Sequence, residues 1–378
     1  MIIHHTDGKI KKMMTKNELT NKYLSVTTLS ESLAERRRPV ALYGTGNGAD
    51  KVISMILGPL AVAPAAFFAS DGFVRHRTFA GLPVESCAEV SSRLGDDVDV
   101  LMCFGSDREE VISFAESLDG KFNFAIPDVP LYGEGLFDRA YVTEHSDELY
   151  EVRSLLADGY SRELFDESVL YRLTGKMKYL QRTESVGDSY RSLFAGREIV
   201  AAVDGGAYRG ETSRMWREVF PAREKIYAVE PDARTAAKFE PPCGCEVELI
   251  NAALTDHCGE EIFHSSSSRG AGIAGKNRRG RDEAVRCVTL DSVVTAPVDL
   301  IKLDVEGFEE RALLGARGVM KEYAPSLAVS LYHRTDDIWK LPLMIKDFSR
   351  EYAAAKFYLR RPRCLPCWDL TLFCVKEV

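Results

Sequence analysis

The chain has 378 residues, 45% hydrophobic and 28% charged, which is the composition of a folded globular protein and excludes a disordered or fibrous one. At roughly 150 residues per domain it is long enough for two or three domains. Its net charge of −8, from 49 Lys and Arg against 57 Asp and Glu, argues against a nucleic-acid partner, because such binding is driven by neutralising phosphates.

Residues 1–20 are polar and unpatterned and are expected to be a frayed tail. Their opening, MIIHHTDGKIKK, lacks the apolar core of a secretory signal. Leu24–Arg38 predicts one helix and Pro39–Tyr43 a strand. Gly44-Thr-Gly46-Asn-Gly-Ala49 follows as G-x-G-x-x-A and opens a helix over Asp50–Leu57. Residues 52–69 carry no charge, but Gly58-Pro59 and Pro64 interrupt them, so they read as a helix, a turn and a strand instead of a membrane span. The second strand, Ala65–Ala69, ends at Ser70-Asp71. Further strands are expected at 79–84 and 98–104, with helices at 86–94 and 107–118. Residues 38–125 therefore form a small Rossmann-like α/β unit, expected to fold on its own. In fold it resembles the N-terminal domain of bacterial acyltransferases that act on nucleotide sugars. Gly44, Gly46 and Asp71 would then hold a nucleotide sugar or dinucleotide; the equal alternative is a scaffold that positions the catalytic domain.

Residues 126–190 connect this unit to the remainder as a helical bridge, expected also to cap the cofactor cleft. Pro127, Pro130, Gly133 and Gly135 mark a loop, and helices are expected at 147–158 and 161–174, with Ser146 and Ser161 as N-caps.

From residue 191 strand and helix alternate, with strands at 199–203, 225–229, 245–250, 298–303, 326–332, 355–360 and 369–375. The first runs directly into Asp204-Gly205-Gly206-Ala207-Tyr208-Arg209-Gly210, and Thr212-Ser213 opens a helix reaching Val219. A strand, a glycine-rich turn and a helix start make a ligand cradle, since glycine lets backbone N–H groups approach closely. The spacing G-G-x-x-x-G is not a phosphate-binding fingerprint, and Asp204 would repel a polyphosphate. That acid suits a ligand bearing an ammonium or sulfonium; the alternative is an ordinary strand-to-helix corner. The second strand ends in Glu230-Pro231-Asp232, with Glu230 26 positions after Asp204, where an acid holds a ribose diol. Together the turn and the acid indicate an adenosine-type ligand.

The runs VDGGAYRGETS, IYAVEPD, NAALTD, VTLDSV and DLIKLDVEGFEERALLGA occur in an order that resembles the FkbM family of S-adenosylmethionine-dependent methyltransferases, over roughly residues 185–378. The resemblance implies a class I methyltransferase fold, a Rossmann-like seven-stranded sheet, and S-adenosyl-L-methionine as cofactor. It assigns cofactor contacts to Asp204, Gly205, Gly206, Ala207, Gly210, Glu230, Pro231 and Asn251, and the adenine amino group to Asp256. Two positions depart from the family's habit: Tyr208 stands where Asn is usual, and Gly205 where Val or Cys is frequent. The insertion at 259–290 holds two strand patterns around Ser265–Gly275, a loop read either as a cover over the site or as a plain surface loop.

Methyl transfer to a hydroxyl needs alignment and a base. Lys302, Asp304 and Glu306 alternate onto one side of strand four, and His333 ends strand five as Tyr332-His333-Arg334. An unperturbed pKa of about 6.5 would let His333 act as base. Asp304 is the other candidate, with Glu306 and Lys302 holding geometry; a structural ion-pair network is the plain alternative. Nine cysteines in so long a chain make no disulfide framework, so a reducing, cytoplasmic setting is expected. Cys243-x-Cys245 and Cys364-x-x-Cys367 lack zinc-ribbon spacing and read as scattered thiols, with no metal. The clusters Arg278-Arg279-Gly-Arg281 and Arg360-Arg361-Pro-Arg363 read as solvated loops or contacts to an anionic substrate. The expectation is an O-methyltransferase for a sugar, glycan precursor or related small metabolite, with a homodimer allowed for. The alternative is a non-catalytic sugar-nucleotide-binding or scaffolding protein that keeps the fold.

Overall fold

A computed structural model gives the structure, which describes residues 14–70, 74, 78–221, 224–265, 272–273 and 281–376. Asp71, most of the Ser265–Gly275 loop and the Arg278-Arg279 pair lie outside the described residues.

The strands, in chain order, are β1 Val40–Tyr43, β2 Pro64–Ala69, β3 Thr78–Phe79, β4 Leu82–Ser86, β5 Asp99–Met102, β6 Asn123–Ala125, β7 Ala201–Gly205, β8 Lys225–Val229, β9 Glu246–Ile250, β10 Ala253–Leu254, β11 Gly259–Ser265, β12 Gly272–Ile273, β13 Arg281–Val288, β14 Leu300–Leu303, β15 Ser326–Ser330, β16 Lys356–Arg360 and β17 Thr371–Val375. They form three sheets. The first has six strands in the order β3-β4-β2-β1-β5-β6, parallel except for β3. The second is a four-stranded sheet, β10-β13-β11-β12, built from the insertion and the short strand that precedes it. The third is the expected seven-stranded sheet, ordered β16-β17-β15-β14-β7-β8-β9, in which only β17 runs against its neighbours. Its central strands β7, β14 and β15 are almost wholly buried and read in the sequence as continuous apolar runs.

Several local expectations are corrected. The supposed tail is helical over Lys16–Leu24, because Thr15 and Glu18 form a capping box and Leu19 and Tyr23 share one buried face. The single helix expected at 24–38 breaks at a second capping box, Thr28 with Glu31, and spans only Leu29–Arg36. The strand expected at 79–84 is the hairpin β3–β4, turned by Ala80 and Gly81, whose φ values of 47° and 84° give the type I′ pattern. The helix Gly159–Thr174 is capped by Asp158, which accepts from the Ser161 amide. Ser161 is instead buried and its hydroxyl accepts from the Leu359 amide at 3.0 Å, tying this helix to β16. The helix Gly159–Thr174 thus packs on the edge strand β16, while Tyr132, Tyr141 and His145 of the bridge lie beside the loop that follows β15. The Arg360-Arg361 pair is no solvated loop: Arg360 pairs with Asp158 and Glu184, each at 2.8 Å, and Arg361 is buried against the Leu180 and Cys364 carbonyls.

Two glycines of the first turn, Gly44 and Gly48, answer to packing, whereas a Cβ on Gly46 would meet nothing within 4 Å. A Cβ on Gly44 would fall 2.5 Å from the Phe104 ring, and one on Gly48 would fall 1.8 Å from the Cys103 carbonyl oxygen. Nor does the unit at 38–125 stand apart. One buried apolar cluster runs from Leu19, Tyr43 and Phe124 through Phe165 to Val203 and Leu327, so the two large sheets share an interior. The Ile126 amide donates to Gly175 at 2.8 Å, directly beyond β6. No described helix is long and apolar enough to cross a membrane.

The N-terminal helix is pinned by a buried carboxylate. Asp166 accepts from Tyr23 at 2.6 Å, Arg153 at 2.7 Å and Lys22 at 2.9 Å. Burial alone would raise its pKa, but these donors outweigh burial and hold it below the usual carboxylate value. Asp166→Ala would leave Arg153 without its partner in a dry site, at a cost of about 3–5 kcal/mol in denaturant unfolding. The difference between wild type and variant should be complete above the unfolded-state pKa of about 3.9 and shrink as pH falls through the lower folded value. A loss under about 1 kcal/mol at neutral pH would contradict this anchor.

Candidate active site

The order of the seven-stranded sheet fixes where a ligand can sit. From β7 the chain proceeds outward through β8 and β9; from β14 it proceeds the other way through β15. The crevice opens where those directions diverge, beyond the carboxyl ends of β7 and β14. The register sets Lys302 opposite Asp204 and Leu303 opposite Gly205 there.

Asp204 is completely buried. Its Oδ2 accepts from Ser213, in the helix Glu211–Val219, at 2.7 Å. Its Oδ1 lies 3.2 Å from the Lys302 Nζ, a close pair whose alignment is too poor for a hydrogen bond. Lys302 also donates to the Gly206 carbonyl at 2.9 Å. Burial alone would lower its pKa, but the carboxylates of Asp204 and Asp304 prevail and hold it raised. Gly206 has φ of 73°, and a Cβ there would meet the Asp304 carbonyl oxygen at 1.8 Å. The turn and the end of β14 are therefore in backbone contact.

Glu230 locks the turn from the second strand. Its Oε2 accepts from the Tyr208 amide at 3.0 Å and its Oε1 from the Asp232 amide at 2.9 Å. Burial raises its pKa, opposed by those two amides. Asn251 donates to the carbonyls of Glu230 and Pro231 at 2.8 and 3.0 Å, which brackets the end of β8. Ala207 is buried, and Gly210 begins the helix with φ of 87°. Asp256 is placed differently: Arg311 donates to it at 2.7 and 2.9 Å, in a part-exposed group that also contains His257 and Glu261. Its carboxylate is thus committed to an ion pair.

At the ends of β14 and β15 the predicted charges do converge, though strand alternation ends at Leu303 and Glu306 has φ of 56°. His333 is 0% exposed. Its Nε2 lies 3.6 Å from Asp304 and 3.7 Å from Glu306, and its Nδ1 lies 2.9 Å from Glu309. Burial would lower the imidazole pKa, but Glu309 first, then Glu306 and Asp304, overrule it and push it up to about 10. At neutral pH the ring is then a cation without a free lone pair, so the unperturbed value that suggested a base does not apply. For Asp304, burial is outweighed by Lys302, His333 and the Tyr332 hydroxyl, which donates at 2.9 Å, and the carboxyl is held low. Glu306 is raised by burial and accepts from Tyr132 at 2.8 Å.

Three participants were missed from sequence. Glu309 is buried at the start of the helix Glu309–Leu314 and accepts from the Val305 amide at 2.8 Å. The doubled acid Glu309-Glu310 after KLDVEGF was the available signal, masked because a helix start favours acids anyway. Tyr132 comes from the linking loop, 174 residues before Glu306, and no local pattern announces that contact. Asp337 is buried nearby; burial and Glu309 raise its pKa. A cavity of about 350 Å³ adjoins the cluster, lined by Tyr132, Tyr141, His145, Arg334 and Trp339. Another of about 380 Å³, bounded by Phe194, Ile199 and Phe220, touches none of these residues. Cys243, Cys245, Cys364 and Cys367 form no shared ligand group among the described residues.

Tyr208 is 41% exposed with φ of 48°, a conformation that Asn adopts readily and tyrosine does not. The same conformation suits the Asn that the resemblance leads one to expect at this position. Relief of about 1–2 kcal/mol of strain should exceed the loss of an exposed ring contact with Arg209, worth about 0.5–1 kcal/mol. Tyr208→Asn should therefore raise stability by about 0.5–1 kcal/mol in chemical denaturation, and a lower midpoint would refute the strain.

Residues 204–354 match the family model of the methyltransferase FkbM domain. The crystal structure of methyltransferase FkbM from Methylobacillus flagellatus KT is 17% identical and superposes with a TM-score of 0.64, covering 95% of this chain and 100% of that one. That likeness establishes the fold across both large sheets. The structure of precorrin-6y C5,15-methyltransferase from Geobacter metallireducens GS-15 is 13% identical with a TM-score of 0.29, covering 51% of this chain and 88% of that one. No curated protein matches the chain. We therefore place residues 204–354 in the methyltransferase FkbM domain family.

Proposed function

We propose that the chain is an S-adenosylmethionine-dependent O-methyltransferase acting on a hydroxyl of a sugar, glycan precursor or related small metabolite. One observation carries the reading: at a single switch point, a glycine-rich turn locked to Glu230 meets the cluster of Asp304, Glu306 and His333.

The residues present fit that cofactor. Each Glu230 oxygen accepts one backbone amide and keeps capacity for a ribose hydroxyl. Asp204 Oδ1 is buried without a hydrogen bond, at a position that favours a cationic ligand group. S-adenosylmethionine supplies a methyl on a sulfonium, which leaves as a neutral thioether and needs no acid. Asp304 and Glu306 then have the remaining task. One of these carboxylates would take the proton of the acceptor hydroxyl during methyl transfer. His333, charged and fully enclosed, keeps both carboxylates oriented. The neighbouring cavity supports a ring-shaped polar acceptor, since Tyr132, Tyr141 and Trp339 offer aromatic faces and Arg334 a donor fork. The nine free thiols fit a reducing compartment such as the cytoplasm.

Titration calorimetry with S-adenosylhomocysteine should give binding to wild type, weakened by about 1–3 kcal/mol in Glu230→Ala. Wild-type affinity in that variant would remove Glu230 from the site. In a methyl-transfer screen over nucleotide sugars and lipid-linked glycans, Asp304→Asn should keep cofactor affinity and lose about 10²–10⁴-fold in turnover. Cofactor binding without transfer to any acceptor would favour the non-catalytic scaffold.

A further inference from the structure

We infer that His333 Nε2, Asp304 and Glu306 form a binding site for one divalent cation of the Mn²⁺ class, with Glu309 as the outer carboxylate that orients the imidazole. Three carboxylates converge on one imidazole, and an acidic cluster alone would not make a site. The histidine supplies the independent observation: it is 0% exposed, and neither ring nitrogen has an aligned hydrogen-bond partner.

The two nitrogens are not equivalent. Nδ1 faces Glu309 at 2.9 Å, and the Glu309 carboxylate is itself fixed by the Val305 amide. A carboxylate behind one nitrogen, holding the other toward an ion, is the common outer arrangement of metal-bound histidine. Nε2 faces Asp304 at 3.6 Å and Glu306 at 3.7 Å, and an ion bound there takes the place of the proton that Nε2 carries in its absence, which is released to solvent. Ligand atoms about 2.1 Å from a shared ion lie about 3.0 Å apart at right angles and about 3.4 Å apart at tetrahedral angles. The observed gaps exceed the second figure by a few tenths of an ångström, within reach of small side-chain rotations. Glu309 can also approach: one ligand atom each from Asp304, Glu309 and His333 lies within 4.8 Å of the others.

The carboxylates are already oriented by phenols. Tyr332 donates to Asp304 at 2.9 Å and Tyr132 to Glu306 at 2.8 Å. Lys302 contacts Asp204 and the Gly206 carbonyl, so its ammonium does not sit between the three ligands. One nitrogen and two carboxylate oxygens suit Mn²⁺ or Fe²⁺ better than a thiolate-seeking ion, and leave positions open for water or substrate. The ion's catalytic role rests on the methyl-transfer reading above: it would bind the acceptor hydroxyl beside the cofactor and ease loss of its proton to a cluster carboxylate. Cation binding itself does not depend on that reading.

The test uses the full chain, stripped with chelator and titrated with Mn²⁺ while free ion is followed by electron paramagnetic resonance. One Mn²⁺ per chain is expected, with affinity lowered at least tenfold in Glu306→Gln and His333→Ala. His333 is fully enclosed and its alanine variant risks misfolding; Glu306 has a side chain 33% exposed, and its amide replacement keeps the shape. Glu261→Gln, in the Arg311 cluster, should bind Mn²⁺ as wild type does. Absence of stoichiometric binding, unchanged affinity in Glu306→Gln, or loss in Glu261→Gln would each overturn the site. S-adenosylhomocysteine titrated into the same samples separates the two readings. Cofactor binding without Mn²⁺ binding rejects the cation site alone, and the converse rejects the cofactor reading alone.

Discussion

The structure of the site depends on one buried ammonium. Lys302 Nζ reaches across the switch point from β14 to Asp204 on β7 and to the carbonyl of Gly206. A largely enclosed lysine is tolerable there because its counter-charge is within contact and its ammonium donates to a backbone carbonyl. The pair therefore fixes the distance between two strand ends that carry different tasks. On one side lies the turn that Glu230 braces through the Tyr208 amide. On the other lies the acid cluster around His333. The glycine at 206 is part of the same constraint, because any side chain would collide with the Asp304 backbone and push the two apart.

Much of this was legible in the sequence because burial writes itself plainly. β7, β14 and β15 are enclosed on both faces, so their apolar runs identify them, and the charges that interrupt such runs at 204, 230 and 302–306 had to be functional or paired. What local reading could not supply was distance. Tyr132 and Glu306 meet across 174 residues, and Asp166 gathers Tyr23 and Lys22 across more than 140. The short helices at the start were legible in principle, since Thr15…Glu18 and Thr28…Glu31 are both capping boxes, but their single apolar pair was too brief for a periodicity argument. The imidazole misled for an electrostatic reason: an intrinsic pKa says nothing once three carboxylates face one ring.

The same reasoning corrects the basic run near the C-terminus. Arginines in sequence look like a charged surface, yet Arg361 is buried and its Nη2 donates to two backbone carbonyls. Its segment also carries Leu365, which exchanges hydrogen bonds with Ser106 at 2.7 and 2.9 Å, and Trp368, whose ring occupies the space a Cβ on Gly105 would need. The last part of the chain thus stitches the seven-stranded sheet to the loop beyond β5 in the first sheet.

This seam bears on what the first α/β unit contributes. Lys51, just after its glycine turn, donates to the carbonyls of Pro130 and Leu131 in the linking loop. The next residue is Tyr132, whose amide donates to the His333 carbonyl at 3.0 Å and whose hydroxyl holds Glu306. A continuous path of contacts therefore runs from the helix behind Gly44 to the carboxylate at the end of β14. Two glycines of that turn are explained by packing against β5 and Phe104, with no ligand required. Positioning the Tyr132 loop is thus a sufficient physical reason for the unit to be present. It also explains why a shared interior, and not a hinge, joins the two sheets: a wall of the site built on a loop keeps its geometry only if both of its anchors are rigid.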